Sequence, residues 1–239
     1  MGLMKILRGE GIECENETAR ALQFLGHQTE FWDLPKLLSN PDNYLKQLQK
    51  NDWVFIPGGF SFADHFGSGR LLAFELNSIQ FFERLIEKGA SIWGICNGFQ
   101  VLTSSSIFGD VQLEHNQKDD HPMNFHDRWV KLKAPHFNLS LYYPARHGEG
   151  RIQIKELAPQ TETFLFYDDE SFENGSEKKI AGLMRKISHS TIVGMMPHPE
   201  IYTRPEQNPD YSFSDLNKAP LNSLKENSIF NLIFRMESK

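Results

Sequence analysis

The amino-acid sequence predicts an α/β fold with a central, mostly parallel sheet flanked by helices and an added antiparallel β region in the second half. Strand and helix patterns alternate along the first hundred residues, which is typical of a parallel sheet covered by helices on both faces. After about residue 106 the pattern changes to apolar strands separated by polar loops. The 239 residues, 39% of them hydrophobic, suffice for a sizeable core, and we expect 1–239 to form a single domain.

The elements of the first half follow each other in a βα order. Their strands are short apolar runs, and their helices carry apolar residues at helical spacing. In chain order, the sequence predicts a strand at 3–7, a helix at 15–25, a strand at 29–34, a helix at 37–48, a strand at 53–56, a helix over about 74–86 and a strand at 91–95.

The second half reads as a series of antiparallel strands and ends in a helix. Strands are predicted at 129–133, 139–144, 162–168, 179–184 and 191–196, and surface connections at 171–178 and 203–215. Apolar residues at helical spacing predict a final amphipathic helix over about 222–236.

Charge and composition exclude several classes of protein. The net charge of −6 argues against a nucleic-acid binder, which would present a basic face. The apolar stretches are far shorter than the roughly 20 residues of a membrane span, and the N-terminus reaches a charge at Lys5 without the apolar region of a signal peptide. Two cysteines make no disulfide framework, so we expect a cytoplasmic protein.

The segment GICNGFQ, at 94–100, predicts a nucleophile elbow. A strand, then G-x-C-x-G, then a helix places Cys96 on a tight turn, where Gly94 and Gly98 remove Cβ atoms that would clash. The N-terminus of the following helix favours a thiolate and offers N–H groups to an oxyanion. Chance produces roughly 0.01 such matches with 17 glycines and 2 cysteines. A buried core cysteine at a strand end is the alternative.

The segment PHPE, at 197–200, supplies a candidate base. The two prolines keep the backbone extended, so that His198 and Glu200 project the same way. His198 would then accept the proton of the Cys96 thiol while Glu200 holds the other ring nitrogen. The alternative is a loop histidine beside a solvated glutamate.

Other cysteine and histidine residues are expected to be structural or solvated. Cys14 also precedes a helix, but the flanking Glu13 and Glu15 would oppose thiolate formation, so we expect a structural role. Three further histidines, at 115, 121 and 126, have no zinc-site spacing, and we expect solvated loop residues and no metal site.

The two motifs together resemble the class I, triad-type glutamine amidotransferases, whose fold is flavodoxin-like. Further segments look like the glutaminase subunits of phosphoribosylformylglycinamidine synthases. They are GIECENETARAL at 11–22, PGGFSFADHFGSGRL at 57–71, NFHDRWVKL at 124–132 and PARHGEGR at 144–151. The segments span most of the chain in the family's order.

The resemblance implies a role for individual residues. Cys96 would attack the side-chain amide of glutamine to form a γ-glutamyl thioester and release ammonia, with His198 as base and then acid and Glu200 orienting it. The glycine turn at Gly58 and Gly59 and the start of the helix at Asn97 match the family's substrate and oxyanion site, through the N–H groups of Gly59 and Asn97. Further positions that match, with substrate or supporting roles, are Gln100, His147, Glu149 and Arg151.

The resemblance also implies partners. The chain has no phosphate-binding loop motif, so we expect no cofactor here and ATP and magnesium only in a partner. That partner would be the large, ATP-dependent synthetase subunit, together with a small bridging subunit, in de novo purine biosynthesis. The alternatives are a stand-alone cysteine hydrolase or peptidase on this scaffold, and a non-catalytic regulatory subunit.

Two positions depart from the family pattern. Ala63 stands where the loop after PGGFS usually has glycine, and His126 and Asp127 precede Arg128 where cysteine is more usual. Neither change touches Cys96, His198 or Glu200.

Overall fold

Nine strands form one continuous sheet, which confirms the predicted α/β architecture. The computed structural model describes residues 2–118, 121–122, 125–168, 172–208 and 221–237. The order of the strands across the large sheet is β2-β1-β3-β4-β13-β12-β11-β8-β9, and β10 pairs with β5 and β6 with β7 in two small sheets. The antiparallel region of the second half therefore mainly extends the parallel sheet of the first half.

The first half has the predicted alternation of strands and helices. Its elements are β1 (Met4–Arg8), α1 (Glu15–Phe24), β2 (Thr29–Asp33), α2 (Leu34–Ser39), α3 (Pro41–Leu45), β3 (Trp53–Ile56), α4 (Arg70–Ser78), α5 (Phe81–Glu87), β4 (Ser91–Ile95) and α6 (Asn97–Ser104). Strands β2, β1, β3 and β4 pair in parallel, and β13 continues the parallel part beside β4.

The described part of the second half contains strands and two short α-helices. Its elements are β5 (Gly109–His115), β6 (Gln117–Lys118), β7 (His121–Pro122), β8 (His126–Ala134), β9 (Leu139–His147), β10 (Glu149–Leu157), β11 (Thr161–Tyr167), β12 (Ile180–Ile187), β13 (Ser190–Met195), α7 (Leu221–Glu226) and α8 (Ile229–Glu237). All pairings from β13 through β12, β11 and β8 to β9 are antiparallel. Strands β5 and β10 were not predicted.

Three predicted helices are each divided in two by a local break. The helix predicted at 37–48 is interrupted at Asn40, directly before Pro41, because proline disfavours helical geometry in the residue before it. The helix predicted over 74–86 breaks before Phe81, where Gln80 has a left-handed φ of 54°. The final helix is divided between α7 and α8. Apolar periodicity therefore located these segments and missed their breaks.

An aromatic cluster packs α8 against the middle of the sheet. Phe55 and Trp93 stack on neighbouring strands with ring centroids 6.0 Å apart, and Phe230 and Phe234 of α8 contact the Trp93 ring at 4.8 and 6.0 Å. All four side chains are almost completely buried. The cluster fixes β3 and β4, the two strands that lead into the glycine turn and the elbow.

One buried ion pair explains the charge inside the first strand. Lys5 Nζ lies 2.7 Å from Asp52 Oδ2, and both side chains are buried. Asp52 also accepts hydrogen bonds from the N–H groups of Leu3 and Gln49, so the carboxylate is well satisfied.

The described part of the connection predicted at 171–178 is not purely a surface loop, because Phe172 and Asn174 are buried. Residue 171 and residues 209–215 of the other predicted connection lie outside the described residues. In the described part of the chain, every helix is too short or too polar to cross a lipid bilayer.

Candidate active site

Three loops meet at the carboxyl edge of the parallel strands. Residues Ile56 of β3 and Gly94 of β4 are paired in register, as are Ile95 of β4 and Met195 of β13. The chain therefore leaves these neighbouring strands at one edge of the sheet, where the crevices of open α/β folds bind ligands. This register brings the glycine turn, Cys96 and the PHPE segment together although about 140 residues separate the first from the last.

Cys96 occupies the predicted elbow in a strained conformation. Its φ of 51° and ψ of −106° lie outside the regions that non-glycine residues prefer. A Cβ atom on Gly98 would lie 1.8 Å from the carbonyl oxygen of Ile56, and one on Gly94 would lie 2.5 Å from the oxygen of Gly98. Both glycines are thus required by close packing. The Cys96 N–H donates to Met195 O at 2.8 Å, which ties the turn to β13.

His198 and Glu200 form a buried hydrogen-bonded pair. His198 Nδ1 lies 2.7 Å from Glu200 Oε1, with the two side chains 5% and 0% exposed. The His198 N–H donates to Pro144 O at 2.8 Å and fixes the backbone. Burial lowers the pKa of His198, but the Glu200 carboxylate and the nearby thiols outweigh it, and the pKa lies well above its usual value of 6.5. The pair favours an imidazolium facing the cysteines.

Gly58 marks the point where the thiol and the imidazole approach each other. A Cβ atom built on Gly58 would lie 2.9 Å from His198 Cε1, 3.5 Å from Cys96 Cβ and 3.4 Å from Cys14 Sγ. The Cys96 thiol donates to Arg146 O at 3.5 Å, and the side chain remains 6% exposed. The side chains of Cys96, Cys14 and His198 therefore approach one another over the backbone of the glycine turn.

Cys14 is part of this site, which the sequence argument missed. It precedes α1, donates its N–H to Gly58 O at 3.1 Å and lines the same cavity as Cys96 and His198. Because β1 is the neighbour of β3, the loop after β1 reaches the same edge of the sheet. The sequence signal was the apolar strand followed by a helix, as it was for Cys96.

The site opens into a cavity of about 410 Å³, large enough for an amino-acid substrate. Besides the cysteines and His198, its walls include Gly59, Asp64, Gln100, Arg146, His147 and Glu149. A second cavity of about 650 Å³ lies between α4, α6 and β5, and its walls contain neither a cysteine nor a histidine. The cysteines and histidines that line these two cavities therefore all belong to the first.

Two backbone groups suit an oxyanion. Helix α6 begins at Asn97, and N–H groups of a first helical turn have no partner within the helix. Gly59 has a φ of 145°, and a Cβ atom there would lie 2.4 Å from Gly11 O, so only glycine fits this turn. Gly59 lines the cavity beside Cys96. The arrangement agrees with the predicted oxyanion role of both N–H groups, which stays a prediction.

The Asn97 side chain fastens the glycine loop to α6. Its Oδ1 accepts from the Ser61 N–H at 3.1 Å, and its Nδ2 donates to Asp64 Oδ1 at 3.0 Å and to Gln100 Oε1 at 2.9 Å. Gln100 Nε2 in turn donates to Glu149 O at 2.6 Å. Both the oxygen and the nitrogen of the Gln100 amide are thus hydrogen-bonded, so this side chain supports the cavity wall. A direct contact of Gln100 with the substrate stays a prediction.

The HGEGR segment contributes one supporting histidine, His147, and part of the cavity wall. His147 is buried, with Nδ1 3.1 Å from Asn116 Oδ1 and Nε2 3.4 Å from the Tyr167 hydroxyl. Burial lowers the pKa of His147 to about 3, so the ring is neutral. A Cβ atom on Gly150 would lie 2.2 Å from His147 Nδ1, which explains this glycine. Glu149 reaches the cavity and lies 3.6 Å from His115 Nε2.

Arg151 does not line the cavity. Its guanidinium pairs with Glu114, and its Nε donates to His115 O at 3.1 Å. This arginine joins β10 to β5, and the supporting role left open by the sequence is the one that its contacts favour.

The two departures from the family pattern have different consequences. Ala63 lies in the left-handed region with a φ of 54°, between Phe62 and Asp64 at 52° each, so it takes a glycine-type conformation with a side chain. His126 is buried against Phe172 and near His147 and is not a solvated loop residue, so that expectation was wrong. The side chain of His121, like Asn124 of the motif, lies outside the described residues.

Comparison with known proteins identifies the family. Residues 3–231 match the CobB/CobQ-like glutamine amidotransferase domain. The chain is 30% identical to phosphoribosylformylglycinamidine synthase subunit PurQ of Dehalococcoides mccartyi, covering 89% of this chain and 90% of that protein. It is 31% identical to the subunit PurQ of Pyrococcus horikoshii, over 80% and 84% of the two chains.

Solved structures share the fold. A chain of the PurLQS structure from Thermotoga maritima superposes with a TM-score of 0.69 at 23% identity, over 97% of this chain and 99% of that one. A glutamine amidotransferase from the same organism gives a TM-score of 0.52 at 16% identity, over 99% and 94%. The sequence motifs, the arrangement of the strands and these matches agree: the chain belongs to the CobB/CobQ-like glutamine amidotransferase family.

Proposed function

We propose that this protein is the glutaminase subunit of a phosphoribosylformylglycinamidine synthase and that Cys96, His198 and Glu200 are its catalytic residues. The observation that carries the proposal is the meeting of the Cys96 elbow and the hydrogen-bonded His198–Glu200 pair beside Gly58, at the floor of an amino-acid-sized cavity. The curated relatives named above are subunits of that synthase. The function in purine biosynthesis follows from that likeness.

The reaction divides into acylation and hydrolysis. The Cys96 sulfur attacks the amide carbon of glutamine, and the N–H groups of Gly59 and Asn97 stabilise the oxyanion that forms. The imidazolium of His198 donates a proton to the departing nitrogen, and ammonia leaves as the C–N bond breaks. His198 then removes a proton from water, the hydroxide attacks the thioester, and glutamate is released as the C–S bond breaks.

Glu200 orients the histidine and stabilises its charged form. Because its Oε1 holds Nδ1, the Nε2 side of the ring is the side left for the thiol and the substrate. The raised pKa of His198 favours the imidazolium form that donates the proton to the leaving nitrogen.

The wall of the cavity carries both signs of charge, as the zwitterionic end of glutamine requires. Glu149, one-quarter exposed, supplies a carboxylate, and Arg146 supplies a cation that is itself 2.8 Å from Asp127. We assign the α-ammonium group of glutamine to the Glu149 side of the cavity and its carboxylate to the Arg146 side.

The ammonia needs an acceptor outside this chain. We propose that a large ATP-dependent synthetase subunit, with a small bridging subunit, takes up the ammonia, and that ATP and magnesium bind there. We expect weak glutaminase activity of the isolated chain and strong stimulation in the complex.

The test compares two nitrogen sources for amidine synthesis by the reconstituted complex. Cys96→Ala should abolish the glutamine-dependent reaction and leave the ammonia-dependent reaction near the wild-type rate. Loss of both reactions would point to a structural effect on the complex. Unchanged glutamine-dependent synthesis would refute the catalytic role and favour a regulatory subunit, and turnover of unrelated amides without any stimulation by the synthetase would favour a stand-alone hydrolase.

A further inference from the structure

We propose that Cys14 is a positioning residue for the reaction: its thiol holds the His198 imidazole beside Cys96, and it does so alone once Cys96 carries the γ-glutamyl group. The inference deepens the proposed function and rests on it. The Cys14 sulfur lies within 4.8 Å of a ring nitrogen of His198 and of a carboxylate oxygen of Glu200. Neither acylation nor hydrolysis requires a second thiol as a reactant, so the role of Cys14 lies in this contact.

The backbone of Cys14 is fixed on both sides. Its N–H donates to Gly58 O at 3.1 Å, and its carbonyl oxygen accepts from the N–H and the hydroxyl of Thr18 at 2.9 and 2.8 Å. Helix α1, which begins directly after Cys14, also packs against the turn at Pro199–Ile201. A rigid frame therefore presents the thiol to His198, and rotation about the Cα–Cβ bond is the main freedom left to the sulfur.

Cys14 and Cys96 approach the imidazole from opposite sides of the glycine turn. Strand β3 lies between β1 and β4, so the loops after β1 and β4 flank the turn that follows β3. A Cβ atom on Gly58 would lie 2.9 Å from His198 Cε1 and 3.4 Å from Cys14 Sγ. The ring is hydrogen-bonded to both thiols. The histidine is therefore held by Glu200 at Nδ1 and by two sulfur atoms besides.

The two sulfur contacts differ once the reaction has begun. Acylation turns the Cys96 sulfur into a thioester, which has no proton to donate and is a weak acceptor. Cys14 keeps a free thiol, whose sulfur can accept from the imidazolium and whose S–H can donate to the neutral ring. Burial raises the pKa of the Cys14 thiol more than the hydrogen bond with His198 lowers it, so the S–H is retained. Cys14 can therefore hold the ring in both of its protonation states during hydrolysis.

The groups that face the His198 ring give the contact a measurable sign. The titratable ones are Glu200, Cys96, Cys14 and His147, of which His147 is neutral because burial lowers its pKa to about 3. Burial lowers the pKa of His198, whereas the Glu200 carboxylate and the two thiols raise it. Removal of the Cys14 thiol as a hydrogen-bond partner should therefore lower this pKa. A mere loosening of the packing would admit water and raise it.

The first measurement is the pKa of His198, taken from the pH dependence of its imidazole NMR signals. It is made in Cys96→Ala, where Cys14 is the remaining thiol of the chain. Adding Cys14→Ala should lower this pKa, and Cys14→Ser should lower it less because a hydroxyl can still hydrogen-bond to the ring. An unchanged or raised pKa in the Cys14→Ala protein would overturn the proposal.

Ala21→Gly is the matched structural control. Ala21 is buried in α1 and lines the same small gap as Pro199, so the change weakens the helix and its packing without touching the imidazole. We expect this variant to have a lower Tm, an unchanged pKa of His198 and a rate of hydrolysis like that of the wild type. A fall in this pKa equal to that in Cys14→Ala would mean that the shift reports packing, and would overturn the proposal.

The second measurement is the decay of the γ-glutamyl thioester in the reconstituted complex, trapped by acid quench and followed by mass spectrometry. Cys14→Ala should slow this decay about 3- to 10-fold, the effect of about one hydrogen bond. Cys14→Ser should recover part of the loss. The value of kcat/KM should stay within about twofold of the wild type, because it reports acylation, in which Cys96 still holds the ring. Unchanged decay, or an equal loss in kcat/KM, would overturn the role in hydrolysis.

The two measurements separate this inference from the proposed function. A wild-type complex that hydrolyses no glutamine would refute the proposed function, while the NMR comparison would still test the contact between the thiol and the ring. Normal glutamine hydrolysis in a Cys14→Ala protein whose thioester decays at the wild-type rate would refute the positioning role and leave the proposed function intact.

Discussion

A methyl group on Gly58 should separate the histidine from the nucleophile. The added Cβ would lie 2.9 Å from His198 Cε1, whereas carbon atoms are in favourable contact at about 3.5–4.0 Å. The ring must therefore move by at least about 0.5 Å. The new methyl group cannot shift away from the ring instead, because Cys96 Cβ already lies 3.5 Å from it. Since a displacement of about 1 Å can reduce a rate 100-fold, we expect Gly58→Ala to lower kcat/KM about 10- to 100-fold, or about 1.4–2.7 kcal/mol.

The assay is glutamine hydrolysis in the reconstituted complex, with the thermal unfolding of the same preparations as a check. Overpacking costs about 1–3 kcal/mol, so Tm should fall by several degrees and the kinetics must be measured well below it. Gly148→Ala is the matched control in the same cavity, because its Cβ would meet only Phe125 Cδ2 at 3.4 Å, and we expect a loss of less than about threefold. Wild-type kcat/KM in Gly58→Ala would refute the inferred contact between ring and elbow.

Three further predictions concern stability. Ala63→Gly should raise the free energy of unfolding by about 0.5–1 kcal/mol, because it relieves a left-handed alanine; denaturant titration measures it, and a loss of stability would contradict the strain. Asp52→Ala should cost about 3–5 kcal/mol by leaving Lys5 buried without a partner, and Lys5→Met in the same chain should recover much of that loss in urea unfolding. The raised pKa of His198 means that its charged form stabilises the fold fully below about pH 6.5 and that this stabilisation is lost as the pH rises through the folded pKa. Glu200→Gln should therefore lower the free energy of unfolding by about 2 kcal/mol at pH 6 and by less at alkaline pH. A loss of stability that grows with pH would refute the sign.

The two candidate catalytic motifs could be predicted because each is local. The glycines around Cys96 are dictated by contacts within one strand–turn–helix unit, and the extended PHPE segment is dictated by its prolines. The parallel sheet followed from the alternation of elements. What the motifs could not supply is the register of β13 beside β4, which decides whether the sulfur and the imidazole meet. That pairing depends on packing between segments about 100 residues apart in the chain.

Local patterns failed where tertiary contacts decide the outcome. Helical periodicity continued through the break before Phe81 because the apolar face resumes after Gln80 turns left-handed. The strand pair β5–β10 was missed, since its residues are largely polar and half-exposed. The polar loop character of the sequence near His126 concealed a buried histidine that packs against Phe172, a residue more than 40 positions away.

Cys14 shows most clearly why neighbours in sequence are a poor guide to the chemistry of a site. The flanking acids Glu13 and Glu15 led us to expect an unfavourable thiolate, and the pKa of the Cys14 thiol is indeed raised. The causes are different. Burial raises the pKa most, the hydrogen bond with His198 lowers it, and the carboxylate that raises it further is Glu200, which lies far along the chain. Strands β1, β4 and β13 belong to one parallel part of the sheet, so the loops that follow them lie at the same edge. This arrangement places Cys14 as well as Cys96 beside the PHPE segment.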